Sequence, residues 1–305
     1  MCFHTFALSA GCADGACVIW DFDTRGVAKE LRDKGCKAAI TSVNWSKCGR
    51  WLLASATDDS LSLWDIAQGT KVSSMTLQQT ALVARLHPGS TSLCLVCPMS
   101  NAPLLVDFNS SVTHTLSVSS SRSGDAAQNA RMKSSSGNPQ FSPSVACFNK
   151  RGDLIFVGNS KGEVLLIDTE SKQVQGLVRI PGGALIRSFS LSRNGQYLLI
   201  ISNDRIIRLY DILLPVNGAA QALLGMMEEE QEEDELSIEI LKNRGAKCLQ
   251  YSKEFQDRVN RVHWRAACFS GDSEYVVGAS AIKGEHKIHI WNSKTGQLAR
   301  ILEGP

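Results

Sequence analysis

The chain has 305 residues, of which 43% are hydrophobic and 20% are charged. That composition supports a sizeable core and argues against global disorder. No stretch approaches the roughly 18 apolar residues that a membrane span needs, and the N-terminus lacks the basic start of a signal peptide. These features predict a cytosolic or nuclear protein.

Charge is distributed unevenly along the chain. The formal net charge is +2, but seven acidic residues lie within residues 228–235, and without them 32 basic residues face 23 acidic ones. The remaining surface is therefore mildly basic, which is compatible with a polyanionic partner.

A repeat of about 43 residues runs through the sequence. Short apolar segments end in an aromatic or aliphatic residue followed by Asp or Asn, at spacings of 44, 42, 61, 43 and 81 residues. The pairs are Trp20-Asp21, Trp64-Asp65, Val106-Asp107, Ile167-Asp168, Tyr210-Asp211 and Trp291-Asn292. Two insertions account for the long intervals: a Ser-rich loop at 117–140 and an acidic segment at 215–256. We expect both to be mobile; the alternative for the acidic segment is a short helix, since residues 226–241 are rich in helix formers.

Each repeat also contains two turn signals. One turn carries Gly49, Gly152, Gly195 or Gly271, and a second precedes the segment that ends in the aromatic-Asp pair. Gly, Asn and Asp suit such turns because they tolerate positive φ. Units of 40–45 residues that end in Trp-Asp are typical of a WD40-repeat β-propeller, whereas unrelated hairpins in a β-sandwich would not share a period. The sequence predicts an all-β fold, with residues 1–305 forming one propeller domain of about six blades.

Several segments resemble the retinoblastoma-binding protein 5 family, in order from about residue 10 to 303. They include residues 19–29, 95–99, 203–211, 259–261, 268–272 and 296–302. Members of this family are non-catalytic subunits of COMPASS-type complexes, which methylate histone lysine 4. The resemblance implies seven blades and a tail that binds other subunits. We therefore expect this chain to lack the start of the first blade, the seventh blade and the tail.

Three patterns could suggest chemistry, but each has a plainer explanation. Residues 158–162 match G-x-S-x-G, which needs a strand–turn–helix context to act as a nucleophile, whereas here we expect a turn between strands. Cys94 and Cys97 form a single CxxC with apolar residues between them, which indicates a buried strand. His286 and His289 should point to opposite faces of a strand. The ten cysteines, including Cys17, Cys147 and Cys268, are interpreted as small, mostly buried residues without disulfides.

Basic residues are expected to gather on one face of the propeller. Lys161, Arg205 and Lys283 fall in turns that precede third strands, and Arg187 and Arg261 fall where the chain enters the next blade's inner strand. Both kinds of connection open on the same face, where Lys and Arg can bind phosphates without reading sequence. Arg205 and Arg261 are the strongest candidates because they lie inside the segments that match the family.

The primary hypothesis is a nuclear scaffold subunit of a histone methyltransferase complex. Its expected partners are the catalytic subunit, other COMPASS core subunits and the nucleosome, with DNA contacted through the basic face. No catalytic residue, cofactor or metal is predicted for this chain. The alternative is a generic WD-repeat adaptor of another complex; an enzyme is a third hypothesis that no cluster of residues favours.

Overall fold

The computed structural model describes residues 2–4, 7–33, 37–99, 102–116, 143–215, 218–219, 222–223, 238–257, 259–260, 262–280 and 287–304. Within them the chain forms six sheets of four strands each, and in every sheet the strands that follow one another in sequence are neighbours. Six repeated sheets confirm the predicted all-β fold with about six blades.

The strands of the first three sheets are β1 (Cys2–His4), β2 (Ala7–Gly11), β3 (Cys17–Asp21), β4 (Gly26–Leu31), β5 (Ile40–Trp45), β6 (Trp51–Ala56), β7 (Ser60–Asp65), β8 (Thr70–Thr76), β9 (Ala81–Leu86), β10 (Leu93–Pro98), β11 (Leu104–Asp107) and β12 (Val112–Thr115). Those of the last three sheets are β13 (Pro143–Phe148), β14 (Leu154–Asn159), β15 (Glu163–Asp168), β16 (Val174–Arg179), β17 (Ile186–Leu191), β18 (Tyr197–Ser202), β19 (Ile207–Ile212), β20 (Leu249–Phe255), β21 (Trp264–Phe269), β22 (Tyr275–Ser280), β23 (Lys287–Asn292) and β24 (Leu298–Glu303).

The repeated pairs mark the third strand of each sheet, and in several sheets their Asp or Asn organises the turn that follows. Asp107 Oδ1 accepts the backbone N–H of Asn109 at 3.0 Å. Asn292 Oδ1 accepts the N–H groups of Lys294 and Thr295 at 3.0 and 2.9 Å. A short side-chain acceptor can bond the backbone two or three residues on, which explains why Asp or Asn stands at the end of these strands.

The described residues divide into two compact units, one up to residue 116 together with 145–152 and the other from residue 153 onward. One core cluster of the first unit lies between the second and third sheets and includes Leu53, Leu63, Val96 and Val106. In the second unit a cluster packs Phe255, Trp264 and Trp291 against buried aliphatic side chains of β18, β19 and β22. Continuous apolar second strands such as β14, in which every residue is buried, fit a sheet that is covered on both faces.

Most predicted turn residues adopt the left-handed backbone conformation that their type allows. Gly195 has φ 79° and Asp59 has φ 64°. Two turns differ from expectation: in the sixth sheet Ser273 (φ 65°), not Gly271, takes this conformation, and in the fifth sheet Arg205 (φ 70°) takes it instead of Asn203 or Asp204.

Part of the predicted acidic insertion at 215–256 has regular secondary structure. Residues 238–248 form helix α1 (Ile238–Cys248), and residues 249–255 form β20, which pairs with β19 as the outer strand of the fifth sheet. The prediction of a mobile loop is therefore wrong for residues 238–255. The acidic run 228–235 and the Ser-rich loop 117–140 lie outside the described residues.

Helix α1 lies against the outer strand of the fourth sheet with its backbone almost touching that strand. Its buried residues are Leu241, Arg244, Gly245 and Cys248. A Cβ atom on Gly245 would stand 2.1 Å from the carbonyl oxygen of Leu177 in β16. Glycine is therefore required at position 245 because any side chain would push the helix off the sheet.

We expect Gly245→Ala to lower the free energy of unfolding by about 1–3 kcal/mol, the usual cost of forcing extra atoms into a packed interface. The sign of this change shows whether the helix is docked on the sheet. Alanine is a better helix former than glycine by about 1 kcal/mol, so the substitution would stabilise an undocked helix. Denaturant titration measures the change. Asn243→Ala, on an exposed position of the same helix, is the control and should not destabilise the protein.

Candidate nucleic-acid interface

Lys161 lies in the tight connection between β14 and β15. Asn159 Oδ1 accepts the backbone N–H of Lys161 at 2.8 Å and that of Glu163 at 3.1 Å, and Gly162 completes the turn with φ 72°. The Lys161 side chain is exposed. The G-x-S-x-G pattern at 158–162 is this turn between two strands, so it lacks the strand–turn–helix context of a nucleophile.

A side-chain contact between Arg187 and Asn203 joins the start of the fifth sheet's first strand to the turn between its second and third strands. The Nε and Nη2 atoms of Arg187 donate to Asn203 Oδ1 at 3.1 and 2.9 Å. The Arg187 side chain is exposed, and Asn203 is uncharged. The contact therefore orients the guanidinium without neutralising it.

Arg205 occupies the left-handed position of that same turn. Its Nε donates to His263 Nε2 at 2.9 Å. Its backbone carbonyl accepts the indole N–H of Trp264 at 2.9 Å. The Arg205 backbone therefore takes part in blade packing, because it anchors the tryptophan of the sixth sheet.

The short segment Ile180–Gly183, which we call the link, contacts the Lys161 turn directly and the Arg205 turn through the side chain of Arg208. The N–H of Ile180 donates to the carbonyl of Gly162 at 2.8 Å, and the carbonyl of Pro181 accepts Nη2 of Arg208 at 3.1 Å. A Cβ atom on Gly162 would lie 2.7 Å from the carbonyl carbon of Gly183. The two turns are thus held against one common link.

The structure therefore brings three predicted cations to one edge of the fourth and fifth sheets. We call Lys161, Arg187 and Arg205 the basic edge. Two further predicted residues, Arg261 and Lys283, lie outside the described residues, so their part in this surface stays a prediction.

The carboxylates at this edge each bond an arginine outside the basic edge. Glu163 pairs with Arg179 of β16, and Asp204 pairs with Arg208 of β19. Burial raises the pKa of Asp204, but hydrogen bonds from Arg208 and Ser202 outweigh it and hold that pKa below the ordinary value of 3.8. Asp204 is accordingly ionised at neutral pH, and both carboxylates are engaged in local ion pairs.

Sequence reasoning missed Arg208, Asn203 and His263. Arg208 stands two residues before Tyr210 on an otherwise buried strand, and a charged residue in that setting is a signal that a polar network exists. The partners of that network lie in other segments of the chain, and nothing in the local pattern identifies them.

The cysteine and histidine patterns show no chemistry within the described residues. Cys94 and Cys97 are buried in β10, and burial raises the pKa of the two thiols to about 12 and about 11. Cys17 and Cys147 are also buried, whereas Cys268 is exposed, contrary to expectation. His289 is buried in β23, and its predicted neighbour in the pattern, His286, lies outside the described residues.

The described part of the chain has neither a cluster of metal ligands nor a membrane-spanning helix. No group of three or more His, Cys, Asp or Glu residues there could hold a metal ion. No helix there is long and apolar enough to cross a membrane.

We expect Asp204→Asn to lower the free energy of unfolding by about 1–3 kcal/mol at pH 7, because it leaves the buried Arg208 guanidinium without its charged partner. The pKa of Asp204 is depressed in the folded state, so its contribution is complete above the ordinary value near 3.8 and is lost as pH falls through the lower folded pKa. Urea titrations between pH 7 and about pH 3.5 should show the difference from wild type narrowing at the acidic end. A difference that is constant with pH would contradict this assignment.

Six repeated four-stranded sheets, each with an Asp or Asn at or near the end of its third strand, define a WD-repeat β-propeller protein. The profile of the WD domain, G-beta repeat family matches residues 29–65. The solved β-propeller domain of Cps50 (Swd1) from Myceliophteria thermophila is similar at TM-score 0.76 and 28% identity, over 98% of this chain and 84% of that one.

Proteins from distant organisms are similar to this chain over nearly its whole length. Protein RBL of Arabidopsis thaliana is 54% identical over 98% of this chain. The retinoblastoma-binding protein 5 homolog of Drosophila melanogaster is 30% identical over 97% of it. COMPASS component SWD1 of Saccharomyces cerevisiae is 28% identical over 97% of it. These similarities confirm the predicted resemblance to the retinoblastoma-binding protein 5 family. It spans 54%, 52% and 63% of the lengths of these three relatives.

Proposed function

We propose that this chain acts as a non-catalytic scaffold subunit of a COMPASS-type histone lysine-4 methyltransferase complex in the nucleus. The observation that carries the proposal is the similarity, along 97% of the chain, to a protein named COMPASS component SWD1. The propeller would hold partner subunits and the nucleosome, and the methyl donor and catalytic residues would belong to a partner.

Nucleosomal DNA is the proposed ligand of the basic edge. Lys161, Arg187 and Arg205 present cationic groups on one edge of two consecutive sheets, while the nearby carboxylates bond other arginines. Lys and Arg contacts to phosphates supply affinity and orientation without base recognition. Such contacts suit a subunit that must dock a catalytic partner on nucleosomes of any sequence.

The scaffold would accelerate methylation by positioning. Holding the catalytic subunit and its histone substrate on one surface raises their effective concentration, and this requires no reactive group in the scaffold itself. The β-propeller suits this role because its many strand connections can bind different partners while the sheets stay rigid.

Affinity purification tests the assignment to a complex. The tagged full-length protein, expressed at its natural level, should recover a histone methyltransferase and other COMPASS subunits when the eluate is analysed by mass spectrometry. A tagged WD-repeat propeller from another complex is the control. Reproducible recovery of a different complex, with no methyltransferase, would contradict the proposal and favour the generic adaptor.

A further inference from the structure

Arg208 is a buried arginine at the centre of the polar network behind the basic edge. Its side chain is 3% exposed and stands in β19 directly opposite Ile200 of β18. Nη1 donates to the hydroxyl of Ser202, Nη2 donates to the carbonyl of Pro181 at 3.1 Å, and the guanidinium pairs with the carboxylate of Asp204.

These partners belong to the two segments that carry the basic edge. Ser202 and Asp204 flank Asn203, the acceptor for Arg187, and Asp204 immediately precedes Arg205. Pro181 lies in the Ile180–Gly183 link, which contacts the Lys161 turn. One guanidinium therefore ties together the segments that hold all three cations.

Packing of a blade does not require an arginine at this position. The equivalent residues of the first four repeats, two before the aromatic or aliphatic member of each pair, are Val18, Ser62, Leu104 and Leu165. The second and fourth of these sheets bury Asp65 and Asp168 at the end of the third strand, but none of the four places a charge at this position. The sixth repeat has His289 there. Removing a charge from water is costly even when it is paired, so Arg208 needs a role beyond building the sheet.

We propose that Arg208 is a positioning residue for phosphate binding, which fixes the spacing between Lys161, Arg187 and Arg205. This inference rests on the proposed DNA contact of the basic edge. Arg208 itself does not reach the DNA: it acts by holding the 202–206 turn and the Ile180–Gly183 link in one arrangement.

The decisive variant removes the Arg208–Asp204 pair without changing the net charge. Arg208→Met with Asp204→Asn keeps the fifth sheet's apolar contacts and leaves all three cations of the basic edge in place. If Arg208 positions them, the double variant should bind nucleosomes about tenfold more weakly. The salt dependence of log affinity should flatten by about one to two units of slope, since each lost phosphate contact removes roughly 0.9.

Two controls separate positioning from other causes. Ile200→Val trims the residue opposite Arg208 and should leave nucleosome affinity unchanged, so a general weakening of the sheet would be recognised. Arg208→Lys keeps a buried cation near Asp204 but not the fork of donors that also bonds Ser202 and Pro181. It should bind nucleosomes with intermediate affinity, and it provides the test if the double variant does not fold.

The outcomes distinguish this inference from the proposed function. Charge reversal of the basic edge that weakens binding, together with wild-type affinity and salt slope in the Arg208 variants, would overturn the positioning role alone. Wild-type binding after charge reversal of the basic edge would overturn the DNA contact itself. Loss of affinity in Ile200→Val equal to that of the Arg208 variants would also contradict positioning.

Discussion

Reversing the basic edge with Lys161→Glu, Arg187→Glu and Arg205→Glu should weaken nucleosome binding on the order of 10²-fold at physiological salt. Three phosphate contacts would be lost, so the slope of log affinity against log salt should flatten by about 2.7 units. The side chains lie at turns and strand starts outside the core clusters, so the fold should persist. Binding should be measured by titration at several salt concentrations, in a complex that contains the partner subunits.

The control for this experiment carries the same change in charge elsewhere. Arg193→Glu, Lys242→Glu and Lys294→Glu alter exposed residues away from the basic edge: Arg193 lies in the turn between β17 and β18, Lys242 lies on helix α1, and Lys294 follows β23. This variant should keep most of the wild-type affinity. If the two variants weaken binding equally, net charge and not the basic edge attracts the nucleosome.

Trp264→Ala should lower the free energy of unfolding by about 3–5 kcal/mol, the usual cost of deleting a buried aromatic side chain. Trp264 is 5% exposed, and its ring lies 5.2 Å from that of Trp291 and 5.1 Å from that of His289, centroid to centroid. Its indole also donates to the Arg205 carbonyl, so the deletion should loosen the 202–206 turn as well. Denaturant unfolding measures the loss.

Trp264→Phe separates the ring from the hydrogen bond. Phenylalanine keeps an aromatic ring in the core but cannot donate to the Arg205 carbonyl, so we expect a smaller loss, with the hydrogen bond contributing about 1 kcal/mol. A loss as large as that of Trp264→Ala would show that the indole contact with the turn, not ring packing, dominates the role of Trp264.

The sequence predicted the sheets well because the repeat encodes their local chemistry. The aromatic-Asp pairs mark the third strands, since a side-chain acceptor at the strand end caps the next turn. Glycines such as Gly195 mark turns that need a left-handed residue. The repeat period, the strand patterns and the turn residues thus agree within each unit, and a fold can be predicted from sequence when such signals agree.

Features that depend on distant segments could not be predicted. The composition of residues 226–241 allowed a short helix, but the position of helix α1 after the acidic run was not predicted, and its docking depends on the close contact of Gly245 with Leu177 of β16. Arg208 finds its partners in the 202–206 turn and at Pro181, 27 residues away in sequence. Hydrophobic periodicity carries no information about such pairings, whereas the placement of Lys161, Arg187 and Arg205 follows directly from the strand order.

A methylation assay on nucleosomes tests the central claim that this protein is a scaffold. A methyltransferase complex should be rebuilt with the full-length protein, without it, and with the basic-edge variant, and the full-length protein should also be assayed alone. We predict no histone lysine-4 methylation by the protein alone, a much faster rate when it completes the complex, and an intermediate, more salt-sensitive rate with the variant. Methylation by the protein alone, or an equal rate from the complex that lacks it, would contradict the account.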